Sequence, residues 1–348
     1  MIVTLSIKGV RPRFWQKWGL PPFITLFILL LLAAAPTLKA TTYADNPVVT
    51  DFIQDMVAEG FDAAQLRALF AKTQRKDRII ELMNQPAEAK PWKDYRPIFV
   101  TPQRINQGVE FYYSYHEALR RAESMFGVPA ALIVAVIGVE TRYGRNTGGF
   151  RVMDALATLA FDYPSRQDYF SGELKNFLRL TRDAGLDPLE LQGSYAGAMG
   201  YGQFMPSSYL SYAIDFDGDK LADIWNNPVD AIGSVANYLH RHGWQPGEPV
   251  VQAAVADGES FRDSLATGRT RLEPELSLSE WQQKGLQPAD QVTGNPLAMA
   301  VELEVDDGNE LWFGWHNFYV ITRYNHSALY AMAVYQLSDA ISREVRND

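Results

Sequence analysis

Cysteine is absent from all 348 residues. That excludes disulfides, a thiolate nucleophile, and a thiol for a lipid anchor behind a signal. Basic charge is scarce: 32 Lys and Arg stand against 41 Asp and Glu, a formal charge of −9. Lys8, Arg11, Arg13, Lys17 and Lys39 fall in the first forty residues, which hold no acid; without that stretch the charge drops to −14. So acidic a chain is a poor partner for nucleic acid, which demands a basic surface. Histidine is sparse too, at positions 116, 240, 242, 316 and 326, with no His-Glu-x-x-His spacing for a zinc hydrolase. No Gly-x-Ser-x-Gly elbow exists, because Gly193-Ser194-Tyr195-Ala196-Gly197 has the wrong register. Phosphate-cradling glycine loops are missing as well. Near the N-terminus, Phe23 to Ala35 is apolar except for Thr25. It falls short of the about 20 apolar residues that a membrane span needs. With its basic lead-in it predicts an export signal over residues 1–40, cut after Ala40 or Ala44; an uncleaved inner-membrane anchor is the alternative.

What is present is an oily, aromatic-rich chain. About 308 residues follow the signal, enough for more than one domain around a core that no disulfide supports. The 17 Tyr and 8 Trp offer flat faces with a polar edge, suited to sugar rings but more often packed in a core. The most informative stretch is Val128 to Gly144. Pro129 suits a first helical turn, and the residues after it are apolar on every side, so the helix is predicted to be buried. Glu140 shares a face with Ile133, Val136 and Ile137, and Gly144 is expected to stop the helix. A carboxylate on such a face resists ionisation, which is what a general acid needs. The plainer reading is a helix-terminal Glu paired with Arg142 or Arg145.

Periodicity predicts short helices from Asn46 to Leu82, a proline-rich loop from Gln85 to Pro102 holding Trp92 and Tyr95, and a long helix from Asn106 to Phe126. Further helices are expected at Val152–Phe161, Asp168–Asp183, Asn227–Trp244 and Ala328–Val345. Val250–Val255 and Met299–Val305 read as strands, with a turn at Asp306-Asp307-Gly308-Asn309 and a return strand from Leu311. The expected fold class is mainly α with a β part (α+β). Its layout is an N-terminal α region (45–100), a helical core (101–246), a small β-rich insertion (247–320) and a C-terminal segment (321–348) returning to the core.

Two loops stand out. Gly193 to Pro206 carries four glycines among small and aromatic residues. Either the backbone packs closely there, or the loop forms a polar binding floor with Ser194 and Gln203. Asp215-Phe216-Asp217-Gly218-Asp219-Lys220-Leu221 sets carboxylates at alternate positions, like the start of a calcium loop. Lys220 stands where such loops turn on Gly, and Asn226 where a closing Glu is usual; Asp230 could close a longer loop. A solvated acidic loop is the alternative.

What survives these exclusions is carboxylate chemistry in an exported helical protein, and glycosidic cleavage fits it. Gly138-Val139-Glu140-Thr141-Arg142-Tyr143-Gly144, Gly197 to Pro206, and Arg323-Tyr324-Asn325-His326-Ser327 resemble the lytic murein transglycosylase B family. The resemblance runs from about Val48 to Arg343. It implies a lysozyme-like helical core with α and small β domains around a groove. It also implies cleavage of the MurNAc–GlcNAc bond of peptidoglycan with a 1,6-anhydro-MurNAc product. The family's catalytic carboxylate matches Glu140. Its groove residues match Tyr95, Arg166, Ser194, Gln203, Phe204, Tyr238, Tyr324, Asn325 and Tyr330. Its structural calcium site matches Asp215, Asp217, Asp219, the Leu221 carbonyl and Asp230. No catalytic cofactor is implied. A periplasmic monomer is expected, meeting glycan strands and cell-wall synthesis complexes. The chain departs from the pattern at Ser165, where a second basic residue is expected beside Arg166, and by an extra residue at Asn226-Asn227. A lysozyme-type hydrolase and a non-catalytic murein-binding scaffold are the rival functions.

Overall fold

The structure, a computed structural model, describes residues 42–44, 46–85 and 90–347. The expected signal over 1–40 lies outside them. Three short helices come first: α1 (Pro47–Ala58), α2 (Ala63–Lys72) and α3 (Asp77–Asn84). Asn46 and Asp62 cap the first two by accepting backbone N–H bonds. Phe52 and Phe70 meet Phe161 edge-on, which seats this layer on the helix Val152–Asp162.

The expected loop at 85–102 holds a helix, α4 (Trp92–Phe99). Its prolines do not prevent it: Pro91 is the N-cap and Pro97 lies in the last turn. Trp92 is buried and stacks on Tyr95, so the segment is anchored rather than free. The expected long helix is two, α5 (Pro102–Ser114) and α6 (His116–Phe126), parted where Tyr115 leaves helical geometry. Helix α7 (Ala130–Thr141) is buried from Ala130 through Val139. The all-apolar pattern therefore means a central helix, as its sequence demands.

Packed on α7 are α5, α6, α11 (Pro228–Arg241) and, from the far end of the chain, α14 (Ala328–Asn347); α8 (Val152–Asp162) packs on α9 (Gln167–Ala184), α9 on α10 (Pro206–Tyr212), and α13 (His316–Tyr324) on α14. Helix α9 is amphipathic and buries Phe170, Leu174, Phe177, Leu178 and Thr181. Its buried Glu173 accepts two bonds from Ser207 and so caps α10. A two-stranded ladder joins β1 (Phe150–Arg151) to β2 (Gln192–Gly193).

Between α11 and α13 the chain holds the short helix α12 (Leu278–Gln283) and an antiparallel five-stranded sheet, ordered β4-β6-β7-β3-β5. Its strands are β3 (Val251–Ala256), β4 (Leu276–Ser277), β5 (Leu286–Pro288), β6 (Leu297–Val305) and β7 (Gly308–Gly314). The β6–β7 hairpin closes at Val305 opposite Gly308. The sheet's own core is Phe261, Trp281, Leu286, Phe313 and Trp315. The fold is thus mainly α with a small β part. Among the described residues no single helix is long and apolar enough to cross a membrane.

Candidate active site

Glu140 is the last residue but one of α7. The helix does not run to Gly144. It stops at Thr141, because Arg142 and Tyr143 take left-handed backbone at φ 53° and 61°. Three contacts hold that strained turn. The Thr141 hydroxyl donates to Tyr201 O at 2.9 Å, Gly144 N donates to the Thr141 hydroxyl at 3.0 Å, and the buried Tyr143 hydroxyl donates to Arg104 O at 2.8 Å. The turn ends the greasy run with the Glu140 side chain at the edge of the core.

The carboxylate does not pair with Arg142 or Arg145. Its partner is Tyr330, whose hydroxyl donates to Glu140 Oε1 at 2.6 Å. Burial pushes the Glu140 carboxyl up from 4.5 to about 7, against the Tyr330 bond, which pulls it down. No second carboxylate among the described residues contributes to that shift.

Tyr330 is almost fully buried and its ring lies parallel to Tyr324, 6.5 Å away. The Tyr324 hydroxyl donates to Gly202 O at 2.7 Å, which ties α13 to the glycine loop. Burial first, then the nearby Glu140 charge, raises the Tyr324, Tyr330 and Tyr95 phenols. Tyr95, Tyr324 and Tyr330 therefore surround the acid. Phe204 and Tyr238 sit behind them: both are buried, and both pack on Tyr324. Tyr238 in turn stacks on His242 and donates to Arg323 O. These two back the wall rather than present a surface.

The glycine loop resolves in favour of close backbone approach, with a polar rim besides. A Cβ at Gly200 would lie 2.3 Å from Ile224 O, and one at Gly202 would meet the Tyr324 hydroxyl at 2.8 Å. The Ser194 hydroxyl accepts from Ala196 and Ala198 N–H groups. Gln203, at φ 52°, donates from Nε2 to Thr147 O and Gly200 O. Its amide oxygen makes no protein bond among the described residues. Asn325 is exposed just past α13. Arg166 lies over the rings of Tyr169 and Phe170 at the start of α9. No hydrogen bond or ring contact joins it to the Glu140 cluster among the described residues. Arg104 is the residue that motif reading missed; its buried guanidinium donates to Gly138 O, two residues before Glu140.

The acidic loop folds back on α11. Oxygens of Asp215, Asp217, Asp219 and Asp230 all lie within 4.8 Å of one another. Lys220 makes the turn at φ 83°, doing at some strain what Gly does in related loops. Asp230 is fully buried and accepts from the N–H groups of Phe216 and Asp223. The extra residue does not displace it: Asn227 caps α11 and bonds both Asp217 and Asp230.

Set against known proteins, residues 44–339 match the transglycosylase SLT domain. The chain belongs to the transglycosylase SLT family. Membrane-bound lytic murein transglycosylase B of Escherichia coli K12 is 47% identical over 311 residues, 86% of this chain and 84% of that protein. The Escherichia coli lytic transglycosylase Slt35, solved in complex with calcium, superposes with a TM-score of 0.81 at 44% identity, over 90% of this chain and 99% of that one. SltB3 of Pseudomonas aeruginosa, solved in complex with NAG-anhNAM-pentapeptide, gives 0.74 at 30% identity, over 84% and 78%. In this SLT member the four clustered aspartates are hard oxygen donors close enough to share one ion. Backbone N–H groups offset part of their mutual repulsion, and a cation would offset more. The donor set fits calcium.

Proposed function

We propose that this SLT transglycosylase cleaves the MurNAc–GlcNAc bond of peptidoglycan with one carboxylate, Glu140, and leaves 1,6-anhydro-MurNAc ends. Membership of the family makes it a lytic transglycosylase of peptidoglycan, a lyase acting on polysaccharide. The observation that carries the mechanism is Glu140 itself. Its pKa is raised to about 7 by burial, its partner is a tyrosine hydroxyl, and no second carboxylate perturbs it.

At neutral pH a large share of Glu140 is protonated and can act as an acid. It gives its proton to the bridging oxygen, and the C1–O bond breaks with its electron pair going to the leaving GlcNAc O4. Ordinary glycosidases then need a second carboxylate. Here the sugar's own 2-acetamido oxygen stabilises C1. Glu140, now an anion, removes the C6 hydroxyl proton as O6 bonds C1, and the enzyme regains its starting state. No water is consumed. A hydroxyl of the same ring outcompetes water through its high effective concentration, provided the ring is held in the reactive shape. Tyr95, Ser194, Gln203, Tyr324 and Asn325 are proposed to do that holding, with Arg166 on a substrate carboxylate. Phe204, Tyr238 and Tyr330 support them from behind.

The calcium proposal assigns the ion to Asp215, Asp217, Asp219, Asp230 and the Leu221 carbonyl, with a structural role only. The workplace proposed is the periplasm, with glycan strands as the partner and residues 1–40 as the export signal.

Digestion of purified sacculi followed by mass spectrometry tests the reaction. Anhydro ends are expected; reducing ends that incorporate oxygen from labelled water would instead mark a lysozyme-type hydrolase. Glu140→Gln should still fold and bind murein but leave no clearing in a zymogram. A variant with full activity would remove Glu140 from the chemistry, and an inactive parent would leave a binding scaffold.

A further inference from the structure

Arg104 is a charged side chain that the fold has sealed away. It is 6% exposed, and no carboxylate among the described residues pairs with it. An unpaired buried cation is costly, so something must compensate it. What faces it is backbone. Nη1 donates to Gly138 O at 2.5 Å and Nη2 donates to Ile98 O at 3.1 Å, while the ring of Phe99 lies 5.8 Å from Cζ. Gly138 O belongs to the last turn of α7, where it also accepts from Arg142 N and where the helix dipole gathers negative partial charge. Ile98 O belongs to the last turn of α4, where the dipole does the same. The guanidinium therefore bridges two helix C-termini, and those ends are its counter-charge.

The two helices carry the acid and a phenol near it. Helix α7 carries Glu140 and α4 carries Tyr95, whose phenol feels the Glu140 charge. We propose that Arg104 is a positioning residue for the transglycosylase reaction: its guanidinium clamps the Tyr95 helix to the Glu140 turn and so fixes the gap in which the sugar is held. The backbone of Arg104 completes the clamp. Its N–H is capped by Thr101, and its carbonyl accepts from Tyr143, the second left-handed residue after Glu140. Two planar donors aimed at two carbonyls suit Arg and not Lys, whose single ammonium sits on a narrower reach. Buried Trp92 anchors the start of α4, but the other polar ties of its side chains are exposed: Lys93 pairs with Glu304, and Arg96 donates to Gln336 at 2.6 Å. Surface bonds of that kind contribute little, so the guanidinium is what ties the C-terminal end of α4 to α7.

This inference rests on Glu140 being the acid, and the test separates the two. Arg104→Ala, Arg104→Lys and Glu140→Gln are assayed beside the parent on purified glycan strands, with activity expressed per folded molecule. Arg104→Ala should lower kcat on the order of 10- to 100-fold, as misplacement by about 1 Å does, with a smaller change in KM. Arg104→Lys should fall between. Guanidinium at about 50 mM, far below denaturing concentrations, should restore roughly tenfold of the loss in Arg104→Ala with saturation, and urea should restore none. If Arg104→Ala does not fold, Arg104→Lys alone carries the test: parental kcat per folded molecule overturns the clamp. So does a loss that only follows the folded fraction and ignores guanidinium. An active Glu140→Gln would instead overturn the mechanism and leave Arg104 as a structural tie.

Discussion

Glu140 couples activity and stability to pH, and both decline as pH rises. Its protonated form does the first chemical step, so kcat/KM should fall as pH rises through about 7. Tyr330 donates to the carboxylate and favours the anion. Tyr330→Phe should therefore raise the Glu140 pKa and move the alkaline limb of the pH–rate profile upward by about one unit, the worth of a hydrogen bond to a charged group. A limb that stays put or moves down would remove Tyr330 from that role. Stability follows the same direction. The folded state holds the proton up to about 7, whereas the unfolded chain releases it near 4.5. Stability is thus full below the lower value and lost as pH rises toward the upper one. Glu140→Gln carries no such penalty. Denaturant titrations should find it more stable than the parent at pH 8, by up to about 3 kcal/mol, with the gap closing by about pH 4.

Among the elements, the glycine loop is the one that tolerates least. Gly200 combines a φ of 68° with a Cβ position 2.3 Å from Ile224 O. Tyr201 N also donates to that same carbonyl at 2.9 Å, so the two segments cannot part without losing a bond. Gly200→Ala should cost more than about 2 kcal/mol, read as a fall in the thermal midpoint. A parental midpoint would show that the Ile224 segment moves freely. The sequence already held the four glycines from Gly193 to Gly202 apart from ordinary turns, since nothing there asked for a phosphate. Other elements were legible for equally plain reasons. Uniform apolarity announced α7, and alternation announced β6. Two were not. Helix α4 hid behind Pro91 and Pro97, because a proline at a cap or final turn looks in sequence like one that breaks a helix. The break at Tyr115 was invisible, because helical spacing continues straight across it into α6.

At the scale of the whole chain, the site is assembled from pieces that sequence order keeps apart. Tyr95, Glu140, Gln203, Tyr324 and Tyr330 span most of the chain, and the motifs could name them without showing which touch the acid. Long-range pairing of this kind is set by packing, so Tyr330 read as one more groove residue until its hydroxyl was seen on Glu140. The Arg104 bridge carried no signal at all, because backbone carbonyls are not spelled in residue types. The acidic loop is the opposite case: spacing alone gathered Asp215, Asp217 and Asp219, and the fold adds Asp230 from the start of α11. That loop joins α10 to α11, and Arg121 on α6 donates to Phe216 O within it. A cation there would hold several core elements in register. It binds the folded state and not the unfolded one, so free ion at about 100 times its dissociation constant would add about 2.7 kcal/mol. For a chain this long, that is a rise of several degrees. Stripping with a chelator should lower the thermal midpoint, calcium should restore it, and magnesium, which demands a tighter octahedral shell, should restore less. Asp217→Asn should weaken the response to calcium. A midpoint that ignores both chelator and calcium would leave the four aspartates as a solvated loop, held by the backbone bonds they already accept.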